Sequence, residues 1–366
     1  MKKILLINTV PTDRNGITSV IFNYLSSDLG KSFQLDYLSI NDIPDAYLDT
    51  INKSGGTSFI VSRSLKHVVG YINGLRRIIK DNHYEAVHIH GNSHTVVIEL
   101  VAAYLSNCKV RIVHAHSTSS SSHLLHLVLT PMFNLLCTNR IACGNEAGKW
   151  MFGSHEYEVI NNGINTSHFS FCEKSRNEIR NELKWDEKVV LAHVGEFSVN
   201  KNQVFLVELL KNLLCDNDSY RLLLIGEGEQ RDVVNEKVNE YGLTGKVLFT
   251  GKIPNVSEYL NACDLILMPS FYEGFPVTLV EQQANGLKCV ISETISKDVN
   301  ITGNVAFVPL SVDKWVDLIK SLSVDSDKER QSRSRSSIDI LKAQGYDFSS
   351  SSEKLKQIYD MSISKT

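Results

Sequence analysis

The chain has 366 residues, 42% of them hydrophobic, and its 38 Lys+Arg against 41 Asp+Glu leave a formal charge of −3. That size predicts two hydrophobic cores of ordinary domain size, and the balanced charge excludes a global basic field for nucleic acid, so any anion must be bound locally. Seven cysteines without a C-x-x-C spacing exclude a metal ribbon or redox motif and fit a reduced, cytoplasmic setting.

The N-terminal MKKILLINTV carries an apolar run too short for a signal peptide, with no small-residue cleavage site after it. Nowhere does clean apolar sequence reach the ~18 residues that a membrane span needs. Lys3 to Asn8 reads as a buried strand, Thr12 to Gly16 as a polar loop and Ile17 to about Asp28 as an amphipathic helix, a Rossmann-like opening. Gly16, at the helix entrance, either lets a ligand approach the backbone or simply makes a turn.

Arg63 to Lys80 places Leu65, Val68, Val69, Ile72, Leu75 and Ile79 at helical spacing, with Arg63, Lys66, Arg76, Arg77 and Lys80 mostly elsewhere on the cylinder. This basic amphipathic helix is either an ordinary domain helix with a solvated face or a docking face for anionic lipid. Strand Ala86 to His90, helix Thr95 to Leu105 and strand Val110 to His114 follow, an alternation that predicts parallel strands and right-handed crossovers. His90, His114 and His116 fall at or near carboxyl ends of strands, where ligands collect in such sheets. A zinc reading is set aside, because no Asp, Glu or Cys accompanies them at ligand spacing and they come from two strands. Ile112 to Asn139 contains no charged residue, which predicts either a lipid-facing helix or a buried interdomain one. Strand Arg140 to Cys143, a helix from near Asn145 and strand Glu158 to Asn161 complete this half, and a linker is expected at 162–172.

A second Rossmann-like unit opens with strand Lys188 to Val194, a loop through Asn202 and an apolar helix from Val204. Lys201, at the turn-to-helix junction, is placed for phosphate. Strands Arg221 to Ile225 and Lys246 to Thr250 follow. Asp216-Asn217-Asp218 is formally an Asp-x-Asp, but it precedes a strand, at the amino edge of the sheet, and reads as a turn. Leu265 to Met268 is a buried strand, Glu273-Gly274-Phe275-Pro276 a turn, and the sequence through Ala284 a helix with proline in its first turn. Such a unit aims free backbone N–H groups at an anion. Glu273 and Glu281 frame that place; at ~1.5 Å of rise per helical residue they stand ~10 Å apart, far enough for both to accept hydroxyl hydrogen bonds from a ligand longer than a phosphate. Strands Lys288 to Ile291 and Val305 to Pro309, a helix from about Asp313, a solvated helix at 326–343 and a last helix at 349–363 close the chain.

Glu, seven residues, Glu, written EGFPVTLVE after PSFY, resembles the signature of family-four retaining glycosyltransferases of the GT-B fold. Similarity continues through VHIH at 87–90, VRIVHAHS at 110–117, VINNGIN at 159–165, HVGEFSVNKN at 193–202 and LLIGEGE at 223–229, in the style of bacterial capsule and exopolysaccharide enzymes. The resemblance implies two Rossmann-like domains facing each other across a cleft. Residues 1–165, with the last helix packed back on them, form the acceptor side, and 166–348 the nucleotide-sugar side. It implies a sugar moved from a nucleotide diphosphate to an acceptor hydroxyl with retention, without metal or other cofactor. It also implies a lipid-linked saccharide as acceptor and peripheral contact with the inner membrane face. The implied catalytic residues are Glu273, His116 (with His114 as fallback and a buried structural histidine as the alternative) and Lys201. The implied donor-binding residues are Gly16, Lys201, Gly274, Phe275, Pro276, Val277, Glu281 and, through backbone groups, Lys252 and Ile253. Two departures stand out: Asn15-Gly16 replaces a glycine pair, and Glu196 stands where the family commonly has an arginine beside the lysine. Rival readings are a nucleotide-sugar-binding subunit without transfer activity, and an epimerase or hydrolase on the same fold.

Overall fold

The computed structural model describes residues 1–13, 15–63, 67–119 and 123–365. It divides into two compact units, Met1–Ile164 with Gly345–Thr366, and Asn165–Gln344.

The first unit is built on seven parallel strands: β1 Lys2–Asn8, β2 Phe33–Ser39, β3 Ser58–Ile60, β4 Ala86–Gly91, β5 Val110–Ala115, β6 Asn139–Ala142 and β7 Glu158–Val159. Their order across the sheet is β3-β2-β1-β4-β5-β6-β7. Alternate residues of each strand face opposite sides, so Leu5 and Ile7 join one buried cluster and Ile4 and Leu6 the other. The second cluster is covered by helices Gly16–Leu25 and Phe348–Ser364, the latter contributing Leu355, Ile358 and Tyr359. Strand order reverses between β1 and β4, so the loops that follow these two strands leave the sheet side by side.

β2 and β3 were not expected from the sequence. β2 reads FQLDYLS, and its charge breaks the apolar run, yet Asp36 is buried: Tyr84 Oη donates to Oδ2 at 2.6 Å and the Thr57 backbone N–H to Oδ1 at 2.7 Å. The basic helix spans Val68–Asn82 and buries Tyr71, Leu75 and Ile79. Val69, expected on its apolar stripe, is 72% exposed, and the expected Leu65 and Lys66 lie outside the described residues.

The second unit carries six parallel strands: β8 Val189–Val194, β9 Tyr220–Ile225, β10 Val247–Gly251, β11 Leu265–Met268, β12 Lys288–Ser292 and β13 Val305–Val308, ordered β10-β9-β8-β11-β12-β13. Here the reversal falls between β8 and β11. The loops after those strands are the ones that carry Lys201 and Glu273. Helix Glu173–Leu183, absent from the sequence reading, attaches through buried arginines as well as through Ile179 and Leu183. Arg176 and Arg180 grip the two oxygens of Asp264 at 2.6 and 2.5 Å, and the Val190 backbone N–H donates to the same carboxylate at 2.8 Å. Buried charges persist because each is paired and hydrogen-bonded.

Candidate active site

In the second unit the loops after β8 and β11 are stitched together. The Asn200 amide donates to Tyr272 O at 2.7 Å and accepts from the Tyr272 backbone N–H at 3.1 Å, and Asn200 O accepts from the Phe271 backbone N–H at 2.9 Å. Asn202, at φ +56°, turns left-handed and donates to Pro269 O at 3.3 Å. The stitching brings Lys201 Nζ to 2.5 Å from Glu273 Oε1, with both side chains mostly buried. The structure thus unites two of the residues expected to act and pairs the lysine with a carboxylate.

Beneath this pair lies His193, fully buried, whose Nδ1 is 2.8 Å from Leu267 O and whose Nε2 is 3.3 Å from the Gln203 amide nitrogen. Burial pushes its pKa down to about 4. The ring is therefore neutral, with Nδ1–H donating to the carbonyl and Nε2 accepting. Gln203 also donates to Glu196 O at 2.7 Å, which fixes the loop between β8 and Lys201. None of Asn200, Asn202, His193 and Gln203 had been singled out in sequence; the signal available was three amide side chains within HVGEFSVNKNQ. Gly226 accompanies them by necessity: at φ +142° a Cβ would stand 2.0 Å from Gly195 O.

Helix Val277–Ala284 follows the Glu273 turn with Pro276 as its N-cap residue, one position before the expected first turn, and no side chain caps it. Its opening N–H groups, Val277 first, are therefore left for an anion. A Cβ at Gly274 would meet nothing within 4 Å, so the turn is open above. Phe275 and Ile253 pack, partly buried, against one hydrophobic cluster. Lys252 is exposed. Glu227, in the GEGE turn after β9, has its Oε1 2.7 Å from where a Cβ on Gly251 would be, which places a carboxylate over Gly251. Glu281, inside the helix, has no hydrogen-bond donor on its carboxylate among the described residues, and burial pushes its pKa up to about 7. Glu196, where the resembled family commonly has an arginine, is exposed. Asp216 and Asp218 are ion-paired with Lys320 and Lys246 at the exposed amino edge.

In the first unit, Gly16 opens its helix behind the Asn15 cap, whose side chain accepts from the Thr18 backbone N–H at 3.0 Å. A Cβ at Gly16 would meet open space, so sterics there do not demand glycine. His116 is not isolated. Its Nε2 is 2.9 Å from His90 Nδ1 and its ring lies 4.3 Å from that of His114. His88, His90 and His114 share one face of the sheet, since β4 and β5 pair in register with His90 opposite His114. Origin in two strands, one of the two grounds for setting a metal aside, therefore does not separate His90 from His114. Burial holds all four imidazoles neutral, His88 and His116 down to about 3.

Residues 175–337 match the family described as "Glycosyl transferases group 1". The chain is 30% identical to the Bacillus subtilis (strain 168) protein named "Putative glycosyltransferase EpsF", over 96% of this chain and 95% of that one. It is 27% identical to an Escherichia coli UDP-Gal:alpha-D-GlcNAc-diphosphoundecaprenol alpha-1,3-galactosyltransferase, over 69% of this chain and 66% of that one. Among solved structures it resembles Anabaena HepE in complex with UDP, with a TM-score of 0.78 at 16% identity over 99% of this chain and 100% of that one. That likeness carries the fold, GT-B, and with the near full-length relative it completes the assignment: the chain belongs to the group 1 glycosyltransferases.

Proposed function

We propose that this glycosyltransferase takes its sugar from a nucleotide diphosphate donor held on the second unit and passes it, with retention, to a hydroxyl of a lipid-linked saccharide received by the first. The observation that carries the reading is the Lys201–Glu273 pair at the strand-order reversal beside an uncapped helix N-terminus. A diphosphate arriving there competes with Glu273 for the lysine. The freed carboxylate then accepts hydroxyls of the donor sugar, while Glu281 accepts those of the ribose and the Lys252-Ile253 backbone meets the base. As the bond from the anomeric carbon to the diphosphate oxygen breaks, negative charge grows on that oxygen. Lys201 and the backbone N–H groups of Gly274 and Val277 stabilise it, and the departing oxygen takes the acceptor's proton. His116 is assigned to the donor sugar from the first unit. No cofactor beyond the donor and no metal takes part in these steps.

Two features support an acceptor at a membrane. Helix His123–Leu136 exposes Leu124, Leu127, Val128 and Leu135, the first and last at 75% and 80%, and buries only His126, Phe133 and Leu136. This favours the lipid-facing alternative for the charge-free segment over burial. Arg77 and Lys80 on the basic helix are exposed as well. No helix among the described residues is long and apolar enough to cross a membrane, so the contact proposed is peripheral.

The exposed Glu196, in place of a second cation, favours one rival, a binding subunit without transfer. Thermal shift against a panel of nucleotide sugars, read beside diphosphate release with and without a lipid-diphosphate-linked saccharide, separates the readings. Acceptor-dependent release supports transfer, binding without release supports the subunit, and acceptor-independent release supports a hydrolase.

A further inference from the structure

The first unit buries a set of nitrogens that the transfer reaction does not use. His88, His90 and His114 are each 0% exposed, and one ring nitrogen from each lies within 4.8 Å of one from each of the others. Their outer contacts are selective. His88 Nδ1 is 2.6 Å from Tyr359 Oη and His90 Nδ1 is 2.9 Å from His116 Nε2, while His88 Nε2, His90 Nε2 and both nitrogens of His114 have no hydrogen-bond partner among the described residues. Leaving a buried polar atom unpaired is costly, and native folds seldom leave several together.

We propose that His88, His90 and His114 form a site for a borderline-soft divalent cation of the zinc class. Imidazole suits such ions, and three histidines with one open position is a known zinc set. In a tetrahedral site with Zn–N near 2.0–2.1 Å the ligand nitrogens stand about 3.4 Å apart, so rings already within 4.8 Å need close by little more than an ångström. The outer contacts match what a zinc-bound histidine requires. Its non-ligating N–H donates to a fixed partner, and here Tyr359 Oη receives from His88 and His116 Nε2 from His90. These roles assign the tautomers of both rings and leave each Nε2 lone pair for the ion. No carboxylate joins the set among the described residues. Because Tyr359 belongs to the last helix, the ion would tie that helix to β4 and β5. It also fixes which nitrogen of His116 carries the proton. The transfer steps proposed above are not routed through it.

The test is made on the full chain. Protein purified from zinc-supplemented and from cobalt-supplemented medium, passed through a column with weak chelator, is assayed for bound metal and for visible absorption. About one equivalent of metal per chain is expected, with the d–d bands of four-coordinate cobalt. His114→Phe, which keeps the ring volume, should lose the metal while keeping its far-ultraviolet dichroism. Tyr359→Phe should still bind, with zinc affinity weakened about 10–100-fold. Protein that folds, holds less than about a tenth of an equivalent and shows no cobalt bands would overturn the proposal. Retention of the full equivalent by a folded His114→Phe would overturn it too.

Discussion

Lys201 and Glu273, 72 residues apart in the chain, hold each other at 2.5 Å with their side chains only 20% and 11% exposed. A cation already engaged by a carboxylate is not idle toward an anion. It is held in position, and the carboxylate is the group that must give way. Replacing Glu273 by Gln removes the competitor, so the free nucleotide diphosphate should bind more tightly, by about threefold to tenfold, while transfer falls. Titration calorimetry decides; weaker binding by Glu273→Gln would mean that the pair is part of the bound state and not its competitor.

Lys201→Ala should act on turnover. The cation's value rises as the leaving group's charge develops, so kcat is expected to fall about 10²–10³-fold with KM changed far less. Steady-state kinetics with the preferred donor checks this, and a rise in KM at constant kcat would contradict it.

Glu281 has a carboxyl whose pKa stands near 7, against an ordinary 4.5, because burial disfavours its charged form. The folded-state pKa is the raised one, so the associated stability is fully present below about pH 4.5 and is lost as pH rises through about 7. Glu281→Gln never ionises. Its melting temperature should match that of the wild type near pH 4 and exceed it by pH 8, by an amount corresponding to on the order of 2 kcal/mol. Nucleotide diphosphate binding should move the other way, weakened in Glu281→Ala by roughly 1–3 kcal/mol, since the ionised carboxylate is the better hydroxyl acceptor. A pH-independent difference in melting temperature would sink the burial argument.

The strand-and-helix alternation was legible because buried parallel strands are apolar runs, such as ILLIN in β1 and LILM in β11. Where a polar residue does the packing the sequence went silent. Asp36 hid β2, and Arg176 and Arg180 hid helix Glu173–Leu183. Within the site, Lys201 and Glu273 were each visible through their turns. Their contact was not, because it depends on β8 and β11 being neighbours across the sheet. The same holds for the histidines, whose grouping follows from the His90 and His114 register and from Tyr359, 271 residues from His88.

Asp216 and Asp218 should be dispensable for the chemistry. Each is paired with a lysine at the edge opposite the ligand loops, so Asp216→Asn/Asp218→Asn should transfer within about twofold of the wild type, with no need of added magnesium or manganese. Activity that appears only on adding either ion, and vanishes in the double variant, would reinstate a metal–diphosphate site.

Attachment to membranes should combine two weak terms: exposed leucines of His123–Leu136, and exposed cations of Val68–Asn82, each contributing roughly 1 kcal/mol at an anionic surface. Co-sedimentation with anionic liposomes should therefore fall at high salt. It should also fall in Arg77→Glu/Lys80→Glu, and fall further in Leu124→Ser/Leu135→Ser. Wild type that ignores anionic liposomes at low salt would point to a soluble acceptor.

The central claim, retaining transfer from a nucleotide diphosphate sugar, is tested most directly by the anomeric configuration of the product. The full chain is incubated with the donor that stabilises it most and a lipid-diphosphate-linked saccharide, and the new linkage is read from its one-bond carbon–proton coupling. The account predicts a linkage of the donor's own configuration, formed in step with release of nucleoside diphosphate and lost in Glu273→Gln. An inverted linkage, or release of nucleoside diphosphate with the sugar found only in free form, would contradict it.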